Sequence, residues 1–118
     1  MICRATLGIV MLLLTSTFAL GEGTQLTAAQ MKADFIGKKH HGSSLTGDPF
    51  TWIWNADGTG SGTYKGNASN AFYKIKGNQF CTGGSPKKTT ACHTLWLMPD
   101  GTIQTRDSGK AVSNATMD

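Results

Sequence analysis

The sequence predicts an all-β domain with one short N-terminal helix. Its 118 residues are enough for a single domain. Aromatic residues recur at every second position at Phe50, Trp52 and Trp54, which is the period of a strand with one buried face. Turn-forming pairs such as Asp57-Gly58 separate the short apolar runs, and the 15 glycines follow no period. We therefore expect an antiparallel meander of six to seven strands that curls into a barrel or half-barrel.

The first 21 residues have the pattern of a secretory signal peptide. Arg4 supplies a positive charge, an apolar stretch over 5–20 follows it, and Ala19-Leu20-Gly21 places small residues at the cleavage-specifying positions. We expect cleavage before Glu22 and a single β-domain over 22–118. The mature chain would have 10 basic and 7 acidic residues, a net charge of +3, and no membrane anchor.

Removal of the signal leaves two cysteines, Cys81 and Cys92. In an oxidising compartment such a pair is expected to form a disulfide, which would supplement the limited core of a domain of this size. Two free buried thiols are the alternative. The sequence thus predicts an exported protein, periplasmic or extracellular, stapled by one disulfide and monomeric.

The helix is predicted over 27–36. Thr27 is a suitable N-cap, and Gln30 three residues later completes a capping box. Gly37 can end the helix in a left-handed conformation. One face of this helix carries three apolar residues for the core, which are Met31, Phe35 and Ile36.

Strands are predicted over residues 50–55, 59–65, 71–76, 79–82, 91–98, 102–106 and 111–114. Gly60 and Gly62 would give the large tryptophans bare backbone to lie against. Short strands joined by tight turns pair in sequence, and a barrel hides their edges. In outline such a barrel resembles a lipocalin. The helix would plug one end or cover an open side, and the disulfide would join the fourth and fifth strands around the loop 83–90.

The residues with reactive side chains do not form a convincing catalytic set. Cys92 and His93 are adjacent on one strand and would point to opposite faces, so they cannot act as a dyad. The three histidines, His40, His41 and His93, could bind a metal together with Asp48. The adjacent histidine pair lies in a Lys-Lys-His-His-Gly segment, however, which favours a solvated loop.

The sequence also carries no nucleophile elbow, phosphate loop or dinucleotide fingerprint. We therefore predict a protein that is not an enzyme, with no metal and no cofactor. An active site assembled from distant residues at the rim of the barrel is the alternative.

The candidate ligand-binding residues are the aromatic residues on predicted strands, which are Trp52, Trp54, Tyr64, Tyr73 and Trp96. Barrel mouths are common ligand sites, although the same aromatics could simply pack the core. Together with Lys74 and Lys76 some of them could stack on single-stranded nucleic acid. Export and the low net charge argue against a nucleic-acid partner.

An ordered set of features carries a resemblance to known proteins. These are the helix from Leu26-Thr27 to Gly37, Asp57-Gly58-Thr59-Gly60 after an aromatic strand, Tyr73-x-Ile75-x-Gly77-Asn78-x-Phe80-Cys81, Cys92-x-x-Leu95, and a final Asp100-Gly101 hairpin. In this order they resemble a group of small exported bacterial β-domains of unknown function. The resemblance implies a disulfide-bonded β-domain of the cell envelope and transfers no catalytic residues.

From these observations we expect a non-enzymatic protein that binds a small ligand, a glycan or another protein in the cell envelope. The alternative is an inhibitor of an exported hydrolase, a protease or a lysozyme. An inhibitor of this kind would present the loop 83–90, tied by the flanking cysteines, to the cleft of the enzyme.

Overall fold

A computed structural model describes residues 23–117, which form nine strands and one short helical segment. The predicted signal peptide lies outside these residues. The helix α1, Ala28–Gln30, continues as a π-helical turn over Met31–Phe35. The strands are β1 Thr24–Gln25, β2 Lys39–Ser44, β3 Pro49–Trp54, β4 Thr59–Tyr64, β5 Asn67–Lys76, β6 Gln79–Gly83, β7 Ala91–Leu97, β8 Ile103–Asp107 and β9 Lys110–Met117.

Strands β2 to β9 form a closed antiparallel barrel. Each strand pairs with the next along the chain, and β2 also pairs with β9. The sheet therefore closes on itself. The short β1 is an extra strand that pairs with the end of β7. The all-β barrel is therefore confirmed, but the predicted number of six to seven strands is too low.

The missing barrel strand is β2, in the segment that we predicted to be a solvated loop. Its sequence, Lys-His-His-Gly-Ser-Ser, has no apolar alternation. It is nevertheless a strand because it completes two hydrogen-bonded ladders, with β3 on one side and β9 on the other. A second difference is that β5 begins at Asn67, so the predicted loop before residue 71 is part of the strand.

The helix begins as the sequence predicts. The Thr27 hydroxyl accepts a hydrogen bond from the Gln30 backbone, and the Gln30 side chain accepts one from the Thr27 backbone. The segment ends at Gly37, whose positive φ of 85° is the left-handed conformation that glycine adopts without strain. The ordinary α-helix is only one turn long, because the second turn is wound as a π-helix.

The helical segment closes one end of the barrel. Its Met31 and Phe35 are buried in the core cluster, and the Ala28 amide donates to the Asn78 side chain in the β5–β6 turn. The core is completed by Leu26, Tyr73, Phe80, Leu95 and Ile103. The hydrophobic core therefore fills the half of the barrel beneath the helix.

The loops at the other end of the barrel are those after β2, β4, β6 and β8. The longest of them, between β6 and β7, is anchored at its base by the predicted Cys81–Cys92 disulfide, which is confirmed. Cys81 and Cys92 are directly opposite in register. Because their neighbours Phe80 and His93 line the interior, the disulfide lies on the outer side of the wall.

Candidate ligand-binding cavity

The interior of the barrel contains a partly open cavity of about 390 Å³. It extends from the core beneath the helix, where Phe35 and Phe80 border it, to Tyr64 and Val112 at the opposite end. Aromatic and aliphatic side chains dominate its lining, which consists of Phe35, His40, Phe50, Trp52, Trp54, Tyr64, Phe80, Thr82, His93, Leu95, Ile103, Thr105, Val112, Ser113 and Ala115. This volume lies in the range of pockets that bind small organic molecules.

The sequence explains why the barrel is hollow in this half. Thr105 and Ser113 are paired across β8 and β9, and both present small side chains to the interior. On the opposite wall Trp54 and Trp52 lie against Gly60, where an added Cβ would collide with both rings. Small residues on one wall, facing aromatic rings that lie flat against the other, leave space that side chains do not fill.

Three of the five aromatic residues predicted to bind a ligand line this cavity: Trp52, Trp54 and Tyr64. Tyr73 is buried in the core, where its hydroxyl donates to the Asn55 carbonyl at 2.6 Å. Trp96 does not line the cavity.

The Trp96 indole lies 4.0 Å from the guanidinium carbon of Arg106, and its Nε1 donates to the Thr94 hydroxyl at 2.9 Å. Its neighbour Leu95 is buried in the core, so strand alternation places the indole on the outside of the barrel. The five residues thus fall into three environments, and only the first three belong to one site.

The two histidines of the cavity, His40 and His93, are not among the residues predicted to bind a ligand; they were considered only as metal ligands and, for His93, as a partner of Cys92. Our prediction of a solvated surface is wrong for His40, which is 2% exposed, although His41 beside it is exposed. The signal for His93 was available, since it lies two residues before the buried Leu95 on the same strand. The signal for His40 was not, because it depends on the register that places it opposite Trp52.

The His40 ring is held between the helical segment and the cavity. It stacks on Phe35 with 4.2 Å between ring centroids, and it donates a hydrogen bond to the Phe35 backbone carbonyl. Burial lowers the pKa of His40 from 6.5 to about 4, the carbonyl opposes this change, and the nearby His41 adds to it. The imidazole is therefore neutral at pH 7.

Three buried polar atoms of the lining residues have no hydrogen-bond partner: His40 Nε2, Trp52 Nε1 and His93 Nδ1. Buried polar groups are normally paired, so unpaired ones need an explanation. Among the described residues that line the cavity none is acidic or basic apart from the two histidines. The cavity thus combines apolar walls with a few uncharged polar contacts.

The open end of the barrel has an apolar rim, formed by Leu45, Tyr64 and Val112, with exposures of 66%, 42% and 37%. The Leu45 amide donates to the Val112 carbonyl, which joins the β2–β3 loop to strand β9. Beside them the Lys65 ammonium lies 3.5 Å from the Asp48 carboxylate, which also accepts from the Tyr64 hydroxyl at 3.3 Å. Hydrogen bonding from Thr46, followed by Lys65 and Tyr64, lowers the pKa of Asp48.

A second hollow, of about 640 Å³, lies beside the helical segment and strands β4 and β5. Lys32, Asp57 and Lys74 are among its lining residues. The Asp57 carboxylate is already bound by the Thr59 amide and hydroxyl, which lower its pKa. None of the unpartnered buried atoms found over residues 23–117 belongs to this hollow, so the interior cavity is the stronger candidate.

Within the described part of the chain, no three histidine, cysteine, aspartate or glutamate side chains lie together in a way that could hold a metal ion. No helix between residues 23 and 117 has the length and apolar character needed to cross a membrane.

The fold and the site together define a class of protein: a disulfide-linked, closed eight-stranded antiparallel barrel with an apolar interior cavity. No protein-family model, curated protein or solved structure matches the chain. What can be said of its function therefore rests on its own residues.

Proposed function

We propose that the protein is an exported, non-enzymatic binding protein whose barrel holds one small and mainly apolar ligand. The observation that carries this proposal is the 390 Å³ cavity lined by aromatic and aliphatic residues. An eight-stranded barrel is just wide enough for its own side chains to fill it or for one small ligand to occupy it. This barrel is filled at the helical end and hollow at the other.

The disulfide supports export. A bond between Cys81 and Cys92 is stable in an oxidising compartment such as the periplasm or the extracellular space. It agrees with the signal peptide that the first 21 residues predict. The chemistry of the described lining supports binding over catalysis, because it includes no carboxylate and no thiol beside the two histidines.

The test is to fill the cavity from within. Thr105 lines the cavity and Gln104, its neighbour on β8, does not. Since successive strand residues point to opposite faces, Thr105→Trp places an indole inside the barrel and Gln104→Trp places one outside. The uncharged fluorophore N-phenyl-1-naphthylamine is titrated into the mature protein and into both variants, and its emission is recorded.

We expect saturable enhancement of the emission with the unmodified protein and with Gln104→Trp, and its loss with Thr105→Trp. Thermal unfolding of each variant verifies that it is folded. The absence of enhancement with the unmodified protein, or equal enhancement with folded Thr105→Trp, would overturn the proposal.

Inhibition of an exported protease or lysozyme is the second candidate function, and the loop between β6 and β7 supports it. Thr89 in this loop is 3% exposed, and the Lys88 amide donates to the Ser85 carbonyl, so the loop has internal structure in addition to the disulfide at its base. Lys87 and Lys88 are exposed. Assays against a panel of proteases and lysozymes test this function, and Lys87→Ala/Lys88→Ala should weaken any inhibition that the loop provides.

A further inference from the structure

The geometry points to a ligand with an uncharged hydroxyl-like group that enters the barrel polar end first and binds between His40 and Trp52. This inference rests on the proposed ligand-binding function and specifies the chemistry of the ligand. It depends on the unpartnered atoms of the cavity, their depth, and the charges at the mouth.

Two of the three unpartnered atoms, those of His40 and Trp52, have complementary roles. The unpaired Nε2 of His40 is a hydrogen-bond acceptor, because the other ring nitrogen donates to the Phe35 carbonyl. The unpaired Nε1–H of Trp52 can only donate. His40 and Trp52 are directly opposite each other on β2 and β3, so their Cβ atoms are roughly 5 Å apart. The Trp52 Nε1 lies beside Gly60 of β4. A hydroxyl both donates and accepts, so the hydroxyl of a ligand can pair with either atom.

These atoms lie towards the closed end of the barrel. His40 stacks on Phe35 of the helical segment, and Phe35 contacts Phe80 of the core at 5.3 Å between ring centroids. The opposite end carries the apolar rim of Leu45, Tyr64 and Val112. The polar contacts are thus deep and the apolar contacts are at the mouth, which orients an amphipathic ligand with its polar group inward.

The charges of the site argue against an anionic ligand. No lysine or arginine is found among the described residues of the lining, and the neutral His40 offers an acceptor where a carboxylate needs a donor. At the mouth the Lys65 ammonium is already paired with Asp48 at 3.5 Å. Burying an unpaired carboxylate is far less favourable than burying a hydroxyl with both partners present.

Three rigid probes of similar size separate these possibilities: 2-naphthol, naphthalene and 2-naphthoate. Their affinities for the mature protein are measured at pH 7 by titration calorimetry. Because an unsatisfied buried polar group weakens binding substantially, we expect 2-naphthol to bind at least about tenfold more tightly than naphthalene. We expect 2-naphthoate to be the weakest of the three.

Two variants assign the effect to the two residues. His40→Phe keeps an aromatic ring against Phe35 and removes the acceptor, and Trp52→Phe keeps a ring and removes the donor. Either change should bring the affinities for 2-naphthol and naphthalene, measured on the same variant, close to each other. Should one variant fail to fold, the other still tests the assignment.

A spectroscopic signal provides a check that does not depend on affinity. The indole N–H resonance of Trp52 should move downfield when 2-naphthol binds, and it should move less with naphthalene, because only 2-naphthol supplies an acceptor. The indole resonance of Trp96, outside the cavity, is the internal control.

The outcomes distinguish the two levels of the proposal. If none of the three probes binds, the proposed function itself fails. If naphthalene or 2-naphthoate binds as tightly as 2-naphthol, the cavity binds ligands but the assignment of an uncharged polar group to His40 and Trp52 is wrong.

Discussion

Protonation of His40 should destabilise the folded protein between pH 6.5 and pH 4. In this interval the unfolded chain binds a proton at His40, whereas the folded chain, with a pKa of about 4, does not. Because the unfolded state then binds more protons, acid favours unfolding. The stability due to the neutral buried ring is fully present above pH 6.5, is lost as the pH falls to about 4, and changes no further below that.

The size of the effect follows from the change in pKa. A decrease from 6.5 to about 4 corresponds to at most about 3 kcal/mol of unfolding free energy. The His40 side chain is 2% exposed, but it borders a cavity and not a packed interior. We therefore expect a loss of about 2 kcal/mol between pH 7.5 and pH 4.5, which lowers the melting temperature of a domain of this size by about 8 °C or more.

Urea unfolding at pH 7.5 and pH 4.5, followed by tryptophan fluorescence, measures this difference. His40→Phe should remove it, and His41→Asn, which changes the exposed neighbour, should retain most of it. The carboxylates of Asp57 and Asp100 accept hydrogen bonds from Thr59 and Thr102, which lower their pKa below 3.8, so they titrate outside this interval. If His40→Phe loses as much stability in acid as the unmodified protein, the reasoning about His40 is refuted.

Two further predictions concern the wall of the barrel. Replacing Cys81 and Cys92 together by alanine should lower the unfolding free energy by about 3 kcal/mol, because the bond closes a loop with a sequence separation of 11; a melting temperature within a few degrees of the original would contradict this. Gly60→Ala should destabilise by about 1–3 kcal/mol, since the added Cβ collides with the rings of Trp54 and Trp52, whereas Gly84→Ala, with open space around its Cα, should be nearly neutral in the same urea titration.

The sequence was sufficient to predict the parts of the fold that depend on local chemistry. The capping box of Thr27 and Gln30, the end of the helix at Gly37 and the pairing of Cys81 with Cys92 all follow from residue type and spacing, and all are confirmed. The strand β2 could not be predicted in the same way. Its histidines, glycine and serines carry no strand period, and its conformation is imposed by the ladders with β3 and β9.

The winding of the helical segment also could not be predicted from the local sequence. The apolar spacing of Met31 and Phe35 fits one face of an α-helix, and both residues are buried as expected. The structure winds this part as a π-turn instead, with the Ile36 amide bonded to the Met31 carbonyl. The Gly37 amide then donates to the Trp54 carbonyl at the end of β3. Contacts of this kind with distant strands are not encoded in a local pattern.

The alternation of aromatic residues does not show whether the barrel is packed or hollow. Inward-pointing Trp52 and Trp54 are compatible with a packed barrel and with a hollow one, because both need inward aromatic residues. The deciding residues are on the facing strands, where Phe80 and Leu95 fill the helical end while Thr105 and Ser113 leave the other end open. A threonine or serine that points into the barrel gives the same alternating sequence pattern as one that points outward. Its direction is therefore known only once the register is known. The cavity is therefore a consequence of register, and substitutions that change the size of residue 105 should alter ligand binding before they alter the fold.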